Sequence, residues 1–287
     1  MSTLTLSAGR PPAPGAELPA RFADLLAAEW IKLRSLRSTY WVLVLSALAA
    51  IAININAVHS DFPYIDHPHP AQPGFLPYKY DPLWHGLNSI AAYLMALAAA
   101  SIGAITVFGE YATGMIRTTL AAVPDRRAMV AAKVTVVSAV TLVLGVLVST
   151  TSFFTTNAML ASRHVGLSIN DPGCLRAVAA YALIVPVCAL IGMAFGAVLR
   201  HATASIVGVV GLLFVVPLLF GGDRYKLLRQ IGNCLPLVAE GRLTVNPNSY
   251  TTMGKYPPSI TGSWIVLGAW ALVSVVVAVV VVRRRDV

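Results

Sequence analysis

Charged side chains are scarce in this sequence: Asp, Glu, Lys and Arg make up 11% of its 287 residues, where a soluble domain carries about a quarter. Their distribution says more than their number. Six blocks contain no Asp, Glu, Lys, Arg or His at all: Tyr40–Val58, Leu87–Phe108, Val134–Phe154, Ala177–Leu199, Ala202–Phe220 and Trp264–Val282. Each is about 19 to 23 residues long, roughly 30 Å as a helix, which is the thickness of a bilayer's apolar core. A soluble fold would need six helices buried on every face inside one small domain. The sequence therefore reads as an all-α integral membrane protein, and the mean hydropathy of +0.72 agrees.

Other absences remove whole classes of chemistry. The three cysteines, Cys174, Cys188 and Cys234, form no metal-binding or redox motif. Cys174 and Cys234 fall in loops on the same side, so a bridge between them is open but not required. His59, His67, His69 and His85 crowd the first long loop, yet "HPHP" lacks the usual ligand spacing, and no metal site is assigned. No H-E-x-x-H helix, paired carboxylates or Ser/His arrangement suggests an intramembrane protease. "GKY" at Gly254 has neither the Ser/Thr nor the upstream glycine of a phosphate loop. The chain is expected to be no enzyme, with no catalytic residue and no cofactor of its own. The six blocks also lack the ionisable groups on which secondary transporters and proton pumps depend. A transporter of this kind would need an external motor.

The basic residues that remain set an orientation. Six spans put both ends on one side, and a cytoplasmic placement gives that side 13 of the 21 Lys and Arg residues, with Lys32, Arg34 and Arg37 before the first span and "RRR" after the last. The expected location is the cell membrane, multi-pass, with both termini cytoplasmic. The net charge of +9 is explained by this bias and needs no nucleic acid. No cleavable signal peptide is evident, since the first block begins some forty residues in.

Residues 1–19 are rich in Pro, Ser, Gly and Ala and read as a disordered tail. Residues 20–38 read as an amphipathic helix lying in the membrane surface. Phe22, Leu25, Leu26, Trp30, Leu33 and Leu36 share one face, while Asp24, Lys32 and Ser35 face away. Glu29 sits in the apolar stripe, where a lone carboxylate is costly, so it should pair with a basic group or mark a subunit contact. The six-helix domain occupies 39–287, with spans at about 40–58, 87–108, 134–154, 177–199, 202–220 and 264–282. Pro186 and Pro217 are expected to kink their helices. Gly192 and Gly196, in "GMAFG", allow close approach of a helix from the same or another subunit. In the last outer loop Leu227, Leu228, Ile231, Leu235 and Val238 predict an amphipathic helix on or dipping into the outer leaflet, stopped near Pro236.

The segment 109–133 is the largest inner loop. In "EYATGMIRTTL", Glu110, Gly114 and Arg117 are spaced to share one face of a short helix, which Pro124 ends. Together with "AEWIKLRSLRSTYW" ahead of the first span, "EYATGMIRTTLAAVPDRR" resembles the ABC-2 type transporter permeases, actinobacterial ones in particular. The likeness covers essentially the whole layout, although the histidine-rich first outer loop departs from it. It implies a type V exporter-like fold and a permease subunit that pairs with a second permease, in lipid, and docks a separate ABC ATPase that binds the ATP. By the same resemblance Glu110, Gly114 and Arg117 couple to that ATPase, while Glu29, Trp30, Lys32 and Arg34 belong to the contact surface of the leading helix. The substrate is not indicated. A channel or secondary transporter, and a membrane assembly or sensory protein, are the alternatives.

Overall fold

The uncharged blocks form the middles of longer helices. The computed structural model describes residues 21–66, 80–116, 119, 125–222, 224–246 and 255–284, and no strand occurs among them. Six helices are long and apolar enough to cross a membrane, and we number them as spans. They are Arg37–Ser60, Ser89–Ala112, Arg126–Ala161, Cys174–Leu199, Ala202–Phe220 and Ile260–Arg284. Helices two and three each run past their blocks into charged sequence. Asp125 caps span three, its carboxylate accepting from the N–H groups of Arg127 and Ala128. Glu110 and Lys133 consequently lie inside helices, not in the connection between them.

Span four is the centre of the bundle. Of its most apolar 18-residue stretch, 78% is buried, against 17% for span five. Its contact with span two is a seam of small residues. A Cβ on Gly192 would collide with the Ala100 carbonyl, one on Gly196 would come within 2.8 Å of the Ala104 carbonyl oxygen, and one on Gly103 would strike Ala189. Gly145 of span three meets Ala182 in the same way. Of the two settings open to "GMAFG", the structure has the one inside a single chain.

One polar tie pins span one to this core. Asn54, fully buried, donates to Ser152 Oγ of span three at 2.9 Å and accepts from the Asn88 N–H at 2.9 Å, where span two begins. Pro186 lies within span four, whereas Pro217 follows a π-helical turn at Gly211–Val215 of span five.

The leading helix, Phe22–Ser35, ends where Leu36 turns extended. Its buried stripe is Leu25, Glu29 and Leu33, spaced four residues apart. That stripe is narrower than the sequence predicts, because Phe22 and Trp30 are exposed.

At the far end of the bundle, two helices replace the single one expected. Lys226–Asn233 leads to a turn, and Pro236 begins a second helix, Pro236–Thr244. The first helix stops just short of Pro236, as expected, and Pro236 itself starts the second. Its fixed φ and missing N–H suit the first helical position as well as they forbid an interior one. Leu235 and Val238 accordingly fall outside the first helix. The turn hangs beside span six, where Trp270 Nε1 donates to the Cys234 carbonyl at 2.8 Å. Trp270 stands ten residues into that span, about 15 Å along it.

Candidate functional site

Where the leading helix crosses spans two and three, four charges are gathered out of water. Glu29 and Lys32 come from the leading helix, Glu110 from the end of span two and Lys133 from the start of span three. Lys32 Nζ donates to Glu29 Oε1 at 2.7 Å and to Glu110 Oε1 at 2.9 Å. Lys133 Nζ donates to Glu29 Oε2 at 2.5 Å and to Glu110 Oε1 at 2.9 Å. Each lysine therefore bridges both carboxylates, and the cluster is neutral as a whole. Glu29, Glu110 and Lys133 are buried, and Lys32 is partly so. Burial opposes the charge on Lys32, but the two carboxylates outweigh it and raise its pKa above the ordinary 10.5.

The helical period explains the convergence. Glu29 and Lys32 are three residues apart and turn toward the same crevice. Lys32 does not face away as the pattern of the leading helix predicts, since two carboxylates beneath it draw its long side chain over the crevice. Beside the cluster lies a cavity of about 210 Å3, lined on its apolar side by Leu33, Leu36, Ile105 and Val136. The leading helix is thus joined to spans two and three by ion pairs at one point and by apolar contact around it.

Other expected site residues lie apart. Trp30 and Arg34 are exposed on the leading helix, away from the cluster. The helix carrying Glu110 stops at Ala112, and Gly114 adopts φ +71 with nothing within 4 Å of where a Cβ would stand. Glu110 and Gly114 consequently do not share one helix face: the first points into the bundle, and the second is an exposed turn. The backbone departs into the left-handed region there, which glycine alone enters freely. Arg117 lies outside the described residues.

Two basic groups have roles beyond the orienting charge that the sequence assigns them. Arg200, at φ +51 between spans four and five, lies over the Tyr111 ring with its guanidinium carbon 4.4 Å from the centroid. Lys133 was legible only as an orienting charge. Among the described residues no cluster of three His, Cys, Asp or Glu could hold a metal. His85 Nδ1 instead stands 2.5 Å from Asp61 Oδ2, and His67 and His69 lie outside the described residues. All three cysteines are free, Cys174 and Cys188 buried and Cys234 exposed. No known family model matches this chain, and no curated protein matches it.

Proposed function

We propose that this chain is the membrane-spanning permease subunit of an ABC-2 type transporter, an exporter driven by a separate ATPase that docks on the connection after span two. The observation that carries this reading is the four-charge cluster. It ties the leading helix to both helices flanking that connection, so a push on the connection reaches three elements together. Glu110 acts here by fixing the connection and not by touching the ATPase, because its carboxylate is spent on Lys32 and Lys133. Gly114, exposed and in a left-handed turn, is the contact point. The resemblance adds a second permease subunit, cytoplasmic termini and a location in the cell membrane.

The test is affinity purification of the tagged chain from native membranes. An ATP-hydrolysing partner should accompany it, and Gly114→Leu should release that partner while leaving the chain monodisperse, since a side chain there meets nothing within the bundle and the left-handed strain it adds stays in an exposed turn. A chain that is stable and functional with no ATPase attached would overturn the reading. A secondary transporter is the second reading. What favours it is the buried carboxylate at the far end of the bundle.

A further inference from the structure

That carboxylate is Glu240, in the second helix of the far-end hairpin. It is 2% exposed, and its Oε1 has no hydrogen-bond partner among the described residues. The helix that carries it buries Leu237, Ala239 and Leu243 on the same side. It packs against spans four and six, and more lightly against span two. A carboxylate held there as an anion is shut off from solvent and, among the described residues, has no counter-charge.

The neighbouring groups leave it alone. Tyr93 of span two, and Tyr181 and Cys188 of span four, are close enough to feel its charge, and none is a cation. Span six offers no titratable side chain between Ile260 and Val282. The cations nearby in sequence or packing are engaged with backbone carbonyls. Arg176 donates to Leu243 and Val245 at 2.9 and 2.6 Å, Arg242 to Pro258 at 2.8 Å, and Arg229 to Gly221 at 2.8 Å. Lys226 stands at the start of the first hairpin helix and Cys234 is in the turn. Asp81 is occupied by the N–H groups of Leu83, Trp84 and Asn246. None of these groups forms an ion pair with Glu240.

We infer that Glu240 is a proton-binding site: its carboxyl is protonated while the hairpin lies closed against spans two, four and six, and losing that proton releases the hairpin. The step is a single equilibrium, carboxylate plus proton to carboxylic acid. The neutral acid fits an apolar contact. The anion does not, and it becomes stable only when the hairpin swings away and water reaches Oε1. Burial moves the carboxyl up to about 8, so the change falls near neutral pH. The assignment does not depend on an ATPase.

Cys188 is a built-in reporter, fully buried and within reach of Glu240's charge. With Cys174→Ser and Cys234→Ser in the full chain, it becomes the sole thiol. The reconstituted protein is exposed to a membrane-impermeant maleimide across a pH series, beside the same chain carrying Glu240→Gln. The two should label equally at acid pH, and the glutamate form should label several-fold faster once pH passes about 8. The glutamine form corrects for the thiol's own ionisation. Infrared difference spectra of the unaltered chain supply a second measurement: a protonated-carboxyl band should fade over the same range and be missing from Glu240→Gln. Absence of that band from the unaltered chain overturns the proton site, even if the glutamine form does not fold. A titrating band with identical labelling in both forms overturns the release of the hairpin.

Discussion

The two ends of the bundle bury the same residue type with opposite outcomes. At the leading-helix end Glu29 and Glu110, each 5% exposed, meet two lysines that bridge them. At the far end Glu240, 2% exposed, meets no cation among the described residues. A charge that is paired inside protein becomes a joint, because removing one partner strands the other. A carboxyl buried without a partner becomes sensitive to pH, because its cheapest escape from burial is a proton. The first arrangement fixes elements to one another; the second makes a contact conditional.

Breaking the joint should give the largest effect. Lys133→Met leaves two buried carboxylates to one partly exposed lysine, and should destabilise the protein by about 3–5 kcal/mol. Thermal unfolding in lipid nanodiscs measures this, and adding Glu29→Gln to the same chain should recover much of the loss.

The far end should respond to pH instead. Glu240 has its carboxyl pKa raised by folding from 4.5 to about 8, so the folded state holds the extra proton. Its stabilisation is complete below pH 4.5 and is lost as pH rises toward 8. Thermal stability should decline across that window, and Glu240→Gln should flatten the decline. The difference at alkaline pH should be on the order of 2–3 kcal/mol, because opening of the hairpin limits the cost of the anion.

Lys32 sharpens the contrast. Its pKa is raised above 10.5, so its contribution is complete below that value and is lost only as pH climbs beyond it. Lys32→Met should therefore lower stability by about 1–2 kcal/mol, with no pH dependence across the window where Glu240 titrates. The smallest change is Trp270→Phe. It removes the indole N–H that holds the hairpin turn at Cys234 and should cost about 1 kcal/mol. Faster thiol labelling of Cys234 would report it.

The six spans were legible because absence of charge over twenty residues has one common physical cause. The need for a partner at Glu29 was legible too, from its place in an apolar stripe. Which partner was not. Lys133 lies 104 residues away, and only the crossing of helices brings it near. Ending each span at its first charge also placed Glu110 and Lys133 in a loop, when the helices continue through them. The face supposed to join Glu110 to Gly114 fails for a related reason: the glycine marks the helix end and not a position within it. Glu240 could have been found by the reasoning applied to Glu29. It lies three residues from both Leu237 and Leu243 in sequence, in the middle of an apolar stripe. Reading Pro236 as a terminator hid the helix on which that stripe exists.

The seam between spans two and four has a mechanical consequence. Where Gly103 and Gly192 stand against the opposite backbone, there is no cushion of side chains to shear or re-rotamer. Two rods in such contact are keyed together, and sliding one past the other would drive a carbonyl into every glycine notch. They form a keel. Whatever moves in this protein has to move around that pair, and the fifth span, the least buried of the six, lies along its flank.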